Sequence, residues 1–146
     1  MMGHAFHLPM TEHTRTSTIW ISGVATTTNG SRRYKLCMPL VLLPDKRLPL
    51  LVMLHGCGQD ADAFAVSTHM NAVALREHFM VLYPEQDRRA NVQGCWNWFD
   101  TDTGRAQAEV ALIMAAIDQV CAEHPADPAQ VAIAGMSAGA SMAALV

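Results

Sequence analysis

A chain of 146 residues is long enough to bury a core but makes at most one domain. A hydrophobic fraction of 51% with 16% charged residues excludes a disordered chain, and a net charge of −3 with scattered basic residues argues against a nucleic-acid partner. No apolar run approaches the roughly 18 residues that a membrane span needs, and residues 1–18 lack the basic start and apolar core of a secretory signal.

The N-terminal part of the chain predicts a loose arm followed by a β-hairpin. Residues 1–15 are polar and carry several histidines, as in a terminus that does not pack. Thr16–Gly23 and Arg32–Met38 alternate apolar with polar residues, the period of a half-buried strand. Because Asn29-Gly30 lies between them, we expect a hairpin at an edge of the sheet.

The middle of the chain predicts a strand, a helix, a second strand and then a long loop. Leu50–Leu54 and Phe79–Tyr83 are short apolar runs, as expected of strands covered on both faces of a parallel sheet. Between them, Ala61–Glu77 is predicted to be one helix with Asp60 as its N-cap. Glu85–Thr103 is polar and aromatic, and loops of this length inside a domain are often functional.

Gly104–Glu123 is the clearest helix, because its apolar residues form one stripe with a helical period. The stripe consists of Val110, Ile113, Met114, Ile117, Val120 and Cys121. Val131–Ala134 follows as a third apolar strand. This alternation predicts an α/β fold, a mostly parallel sheet with helices on both faces and an antiparallel N-terminal edge, formed by residues 16–146 as one domain.

The motif Gly135-Met136-Ser137-Ala138-Gly139 stands between this third strand and a run of small residues compatible with a helix. G-x-S-x-G in that context predicts a nucleophile elbow, a strained turn that exposes the serine Oγ above the end of the sheet. Ser137 is therefore the candidate nucleophile. The alternative is that the two glycines only ease helix–sheet packing while Ser137 caps the helix.

A second candidate element is the segment His55-Gly56-Cys57-Gly58, called here the HGCG loop, which directly follows the first apolar strand. In α/β-hydrolases the loop at this place supplies one N–H of the oxyanion hole, and the residue after the nucleophile supplies the other. The predicted donors are the backbone N–H groups of Cys57 and Ala138. His55 is a candidate substrate-lining residue or an ordinary strand-end histidine.

Several motifs taken in order resemble one family, the polyhydroxybutyrate (poly(3-hydroxyalkanoate)) depolymerase-type esterases, which border on feruloyl and acetylxylan esterases. The motifs are residues 51–60 (LVMLHGCGQD), 81–86 (VLYPEQ), 95–99 (CWNWF) and 127–139 with the elbow, so the resemblance covers about residues 32–146. It implies an α/β-hydrolase fold and a serine esterase that acts on an ester or polyester through an acyl-enzyme, without a cofactor. Many members of the family are secreted.

The sequence departs from the family pattern after the elbow. An α/β-hydrolase carries its nucleophile, its acid and its histidine in that order, but residues 138–146 contain neither Asp nor His. The seven histidines all precede Ser137, and Asp100, Asp102 and Asp127 fit caps and loops better than a triad. We therefore expect an α/β-hydrolase domain truncated after the elbow and crippled as an enzyme.

The remaining candidates are cysteines and tryptophans of the loops. The resemblance brings the HGCG loop and residues 95–99 to the same site, so a Cys57–Cys95 disulfide is plausible, while buried free thiols are the alternative. Trp96 and Trp98 either line an ester or polymer groove or pack the loop down. No C-x-x-C pair exists, so no metal site is expected. Rival interpretations are a non-catalytic remnant that binds a polymer or a carbohydrate, and a truncation product that does not fold alone.

Overall fold

Five strands and four helices make up the part of the chain that the computed structural model describes, residues 17–146. The strands are β1 (Thr18–Thr27), β2 (Gly30–Pro39), β3 (Leu48–Leu54), β4 (Met80–Pro84) and β5 (Ala126–Gly135). The helices are α1 (Ala61–Thr68), α2 (Met70–Glu77), α3 (Arg105–Glu123) and α4 (Ala138–Ala143). The predicted arm, residues 1–15, lies outside the described residues.

β1 and β2 form the expected antiparallel hairpin at one edge of the sheet. Thr27 pairs with Gly30, so the two-residue turn consists of Thr28 and Asn29, and Gly30, with φ 140°, begins β2. The turn is therefore shifted by one residue from the Asn-Gly turn that the sequence suggests. β1 continues beyond its predicted end at Gly23, because every residue through Thr27 has a partner in β2.

The sheet order β1-β2-β4-β3-β5 places the parallel strands together. β4 and β5 both run parallel to β3, one on each side of it, whereas β2 runs antiparallel to β4. All five residues of β4 are buried, as its continuous apolar run predicts for a strand covered on both faces. Because β3 and β5 are parallel neighbours, their carboxyl ends lie side by side, where ligands bind in open α/β sheets.

Two apolar clusters, one on each face of the sheet, form the core. Successive residues of a strand point to opposite faces. Val52 and Leu82 belong to the cluster that α3 and α4 cover, and their neighbours Met53 and Val81 belong to the cluster that α1 and α2 cover. Helices therefore lie on both faces, as the sequence predicted, and each fully buried large aliphatic side chain stabilises the fold by about 2 kcal/mol.

The prediction of one helix over Ala61–Glu77 is wrong, because the chain breaks into α1 and α2 at His69. This residue has φ 52° and ψ 21°, a left-handed conformation that cannot continue a right-handed helix. Asp60 is the N-cap of α1 as expected, since its Oδ1 accepts from Ala63 N–H at 2.8 Å. The break turns the chain so that both short helices place residues in the same cluster, with Phe64 from α1 among them.

α3 confirms the predicted helix but is rotated relative to the predicted stripe. Ile113, Ile117 and Val120 are buried as expected, whereas Met114 is 39% exposed. The buried face instead includes Glu109, a carboxylate that is only 3% exposed. Although α3 has 19 residues, neither it nor any other helix among residues 17–146 is both long and apolar enough to cross a membrane.

Candidate active site

The turn after β5 holds Ser137 in a strained backbone conformation, with φ 54° and ψ −123°. A positive φ costs about 1 kcal/mol or more for a residue with a side chain, so neighbouring contacts must impose it. Met136 N–H donates to Leu54 O at 3.1 Å and extends the β3–β5 pairing to the residue before the serine. The chain then reverses into α4, because Gly139 N–H donates to Met136 O at 2.9 Å.

Both glycines of the motif are required by close backbone contacts. A Cβ at Gly139 would lie 2.1 Å from Leu54 O, and a Cβ at Gly135 would lie 2.3 Å from Gly139 O. The glycines thus do ease packing, but Ser137 makes no side-chain cap hydrogen bond at the start of α4. Ser137 is exposed, and its hydroxyl has no hydrogen-bond partner in the described part of the chain.

The HGCG loop lies directly against this turn. β3 pairs with β5 as far as Leu54 and Gly135, so the two segments leave the sheet together, and a Cβ at Gly56 would lie 3.5 Å from Met136 O. A hydrogen bond from Gln59 N–H to Gly56 O at 3.3 Å closes a turn in the loop. Within residues 17–146, neither the Cys57 N–H nor the Ala138 N–H has an acceptor, so both remain available to a bound oxygen.

His55 is 1% exposed and uses both ring nitrogens inside the protein. Its Nε2 accepts from Gln86 N–H at 3.0 Å, so the hydrogen is on Nδ1, which donates to Gly56 O at 2.7 Å. Burial lowers the pKa of His55, although the hydrogen bond to Gly56 O opposes this. A neutral, buried imidazole with both nitrogens occupied supports the HGCG loop and presents no free nitrogen to Ser137.

Residues 95–99, called here the Trp loop, are joined to the HGCG loop by a disulfide between Cys57 and Cys95. Trp96 has no exposed surface, and its Nε1–H donates to His55 O at 3.0 Å, so it packs the loop down. Trp98 is 41% exposed and meets Phe99 edge-to-face at 5.8 Å. Of the two tryptophans, Trp98 is the one with surface to offer to a ligand.

The structure contains a buried polar cluster that the sequence did not predict. It consists of Arg32 on β2, Gln86 after β4, Asn97 in the Trp loop and Glu109 on α3, each at most 5% exposed. Glu109 falls within the α3 stripe four residues before Ile113, and this placement is the one signal in the sequence that marks it. The other members are ordinary polar residues of strands and loops.

The aspartates that the sequence assigns to caps and loops make local hydrogen bonds. Asp127 accepts from Ala129 N–H at 2.9 Å, and this bond lowers the pKa of its carboxyl. Asp100 accepts from Thr103 Oγ1 at 2.5 Å. Both carboxylates thus serve local turns, as the sequence predicted. No group of three metal-ligating side chains occurs among residues 17–146.

Comparison with known proteins gives one consistent family. Residues 33–146 match the model of the family described as Esterase PHB depolymerase. Poly(3-hydroxyalkanoate) depolymerase C of Paucimonas lemoignei is 41% identical over 95 residues, which cover 64% of this chain and 23% of that protein. Feruloyl esterase B of Neurospora crassa is 30% identical over 105 residues, 68% of this chain and 35% of that protein. The chain therefore spans about a quarter to a third of the length of these relatives.

Solved structures agree on the fold. The S-formylglutathione hydrolase of Staphylococcus aureus superimposes with a TM-score of 0.66 at 19% identity, over 85% of this chain and 50% of that chain. At this level of identity the likeness concerns the fold alone. The mixed sheet with helices on both faces is thus the α/β-hydrolase fold that the sequence predicted.

Proposed function

The chain belongs to the Esterase PHB depolymerase family, and from this premise we propose that it carries the nucleophile and the oxyanion hole of a serine esterase. In the proposed reaction, Ser137 Oγ attacks the carbonyl carbon of a carboxylic ester. The alcohol leaves, the acyl group stays on Ser137, and water hydrolyses the acyl-enzyme. This chemistry needs no cofactor.

One observation carries the proposal: exposed Ser137 stands on a strained turn next to the N–H groups of Cys57 and Ala138. Among residues 17–146, its hydroxyl has no hydrogen-bond partner and the two N–H groups have no acceptor. A turn with φ 54° at Ser137 stores strain, and such strain concentrates at functional sites. In the tetrahedral intermediate, the N–H groups of Cys57 and Ala138 donate to the negative oxygen. Removal of one such donor in related chemistry costs about 10²- to 10³-fold in rate.

The proposed reaction also needs a base to take the proton of Ser137. Both nitrogens of His55 are occupied, and residues 138–146 contain no Asp or His. We infer that the 146-residue chain, assayed by itself, turns over esters far more slowly than a complete triad would. An oxyanion hole without its triad still leaves roughly 10³-fold catalysis over water.

The proposed substrate is an ester or a polyester. One relative is named as a poly(3-hydroxyalkanoate) depolymerase and another as a feruloyl esterase, so polymeric, feruloyl and acetylxylan esters are the classes to compare. The exposed aromatic pair Trp98–Phe99 gives an apolar surface close to the disulfide, which suits an aromatic acyl group or an apolar polymer.

The same aromatic pair supports a second candidate function, non-catalytic binding of a polymer or a carbohydrate. Aromatic side chains with exposed faces bind apolar surfaces and sugar rings through large contact areas. In this alternative, Trp98 carries the binding and Ser137 is dispensable.

The nucleophile is tested by labelling the chain with a fluorophosphonate probe and by assaying short-chain nitrophenyl esters. We expect slow labelling that Ser137→Ala abolishes and that Ser141→Ala leaves unchanged, because Ser141 is the neighbouring serine on α4. Labelling that persists in Ser137→Ala overturns the assignment. Rapid turnover by the unmodified chain overturns the inference that it has no effective base.

The binding alternative is tested with poly(3-hydroxybutyrate) granules and soluble xylan. It predicts saturable binding that Trp98→Ala weakens and Ser137→Ala does not change. Trp20→Ala is the matched control, since Trp20 is 37% exposed but lies on the edge strand β1. Equal binding by the two tryptophan variants contradicts a role for Trp98.

A further inference from the structure

The buried polar cluster of Arg32, Gln86, Asn97 and Glu109 has no part in the reaction proposed above. Burial of charged groups costs several kcal/mol per ion unless partners compensate for the lost water. Burial lowers the pKa of Arg32, and the charge of Glu109 opposes that effect. The hydrogen-bond partners of Arg32 and Glu109 therefore show which segments of the chain the two charged groups hold in place.

Glu109 is the centre of the cluster, because three N–H donors converge on its two oxygens. Gln86 Nε2 and Asn97 Nδ2 each donate to Oε1 at 2.6 Å, and Asn97 N–H donates to Oε2 at 2.9 Å. Arg32 Nη1 donates to Gln86 Oε1. The Gln86 amide therefore bridges a guanidinium and a carboxylate, and it is held at both its oxygen and its nitrogen.

From Gln86 the contacts lead to the HGCG loop. Gln86 N–H donates to His55 Nε2 at 3.0 Å, and His55 Nδ1–H donates to Gly56 O at 2.7 Å. Gly56 O and the Cys57 N–H belong to one planar peptide group, and no cis peptide occurs in the described chain. In a trans peptide the C=O and the N–H point in opposite directions, so the bond that holds Gly56 O also sets the direction of the Cys57 N–H.

The Trp loop contacts the HGCG loop at two further points, at His55 O and at Cys57. Glu109 holds this loop through Asn97. Next to Asn97, Trp96 donates to His55 O at 3.0 Å, and the disulfide ties the beginning of the loop to Cys57. One carboxylate on α3 therefore supports the HGCG loop by two routes.

We propose that Glu109 is a positioning residue for the oxyanion hole, which acts through Gln86 and His55 to direct the Cys57 N–H. The proposal rests on the proposed role of that N–H as an oxyanion donor. Glu109→Gln tests it with little change of volume, because the new NH₂ group would face N–H donors where the carboxylate accepted three hydrogen bonds. A buried donor that faces another donor loses its bond, so either Gln86 Nε2 or the Asn97 N–H loses its acceptor. The Gln86 amide is then held less firmly, by Arg32, Asp87 N–H and Cys95 O.

The first measurement is NMR on the full chain, with the ring nitrogens of His55 and the amide of Cys57 as reporters. We expect Glu109→Gln to shift or broaden both signals and to weaken the preference for the hydrogen on Nδ1. The matched control is Glu123→Gln, the same substitution at an exposed position of the same helix, which is expected to leave both signals unchanged. Unchanged signals in folded Glu109→Gln overturn the proposal.

The second measurement separates positioning from general stability. We expect Glu109→Gln to lower the limiting rate of fluorophosphonate labelling about tenfold, a partial loss of one oxyanion donor, with the same half-saturating probe concentration. Equal losses in Glu109→Gln and Glu123→Gln, or a change in half-saturation alone, contradict positioning. If Glu109→Gln does not fold, the measurement is made on Gln86→Met instead. That variant removes the side-chain amide that bridges Arg32 and Glu109, and it keeps the backbone N–H of residue 86 that donates to His55.

The two proposals fail in different ways. Absence of labelling in the unmodified chain counts against the esterase proposal, and the NMR signals then still decide whether Glu109 controls the Gly56–Cys57 peptide. Normal labelling that is lost in Ser137→Ala but unaffected by Glu109→Gln supports the esterase proposal and overturns the positioning role.

Discussion

The turn around Ser137, proposed above as a nucleophile elbow and called the elbow below, and the HGCG loop lie side by side at the end of the sheet. Contacts of different kinds hold them. Backbone atoms hold the elbow: Met136 N–H donates to Leu54 O, and Gly139 meets the same carbonyl so closely that no Cβ fits. Contacts that involve side chains hold the HGCG loop: His55 Nε2 accepts from Gln86 N–H, and Trp96 Nε1–H donates to His55 O. The elbow thus depends on the absence of side chains, and the loop on their presence.

This difference has a consequence for how each region fails. Because the elbow is held by close backbone contacts, a single added carbon atom is expected to disrupt it as a whole. A loop defined by a disulfide, a histidine and a polar cluster weakens in steps, since each contact can be removed alone. Three experiments, in order of expected effect, test the contrast.

The largest effect is expected from Cys95→Ser, which removes the disulfide of the HGCG loop. The bond closes a loop with a sequence separation of 38 residues, and loop-closure entropy for that length corresponds to about 4 kcal/mol of stability. The urea midpoint of unfolding measures this loss of stability. We expect dithiothreitol to lower the midpoint of the unmodified chain to that of Cys95→Ser, because it reduces the disulfide. Cys121→Ser is the control, because Cys121 is a free cysteine. If dithiothreitol does not change the urea midpoint of the unmodified chain, this prediction is contradicted.

Gly139→Ala is expected to destabilise the elbow by about 3 kcal/mol, the upper range for atoms forced into a packed site. The added Cβ would lie 2.1 Å from Leu54 O and 2.5 Å from His55 O, both of them backbone atoms, so the end of β3 must move. Labelling of Ser137 should disappear with it. Ala140→Ser adds one atom at the next, exposed position and should change the urea midpoint little. Equal midpoints for the two variants contradict the close-contact argument.

The smallest effect is a pH dependence that belongs to the HGCG loop. Burial lowers the pKa of His55 in the folded protein, whereas an unfolded chain takes up that proton near pH 6.5. Below this pH the unfolded state binds more protons than the native state, so the free energy of unfolding falls with decreasing pH. The slope reaches at most about 1.4 kcal/mol per pH unit for one proton, and it ends once the pH passes below the folded-state pKa.

Urea unfolding at pH 7.5, 6.5 and 5.5 measures this slope as the difference between the unmodified chain and His55→Asn. The asparagine amide keeps a donor for Gly56 O but does not titrate. His78→Asn is the control at an exposed residue that tolerates asparagine, because its φ is 57°. Identical slopes in the unmodified chain and in His55→Asn show that His55 does not contribute.

The contrast between the regions also explains which features the sequence predicted. The elbow is local, since Gly135, Ser137 and Gly139 lie within five consecutive residues between a strand and a helix, so their spacing alone identifies the turn. The sequence does not predict the break at His69, because no proline or glycine marks it and its left-handed conformation is unusual for a residue with a side chain. Trp96 and Trp98 are alike in sequence, and only packing makes one buried and the other exposed.

The sequence by itself determined the order of the strands, the α/β class, the family resemblance and the position of the G-x-S-x-G motif. These features rest on periodicity and short-range spacing, which a chain carries before it folds. The tertiary structure decided the direction of the Gly56–Cys57 peptide and the partners of Glu109. Those contacts join residues 32, 55, 86, 97 and 109, and such pairs meet only when the sheet and α3 pack together.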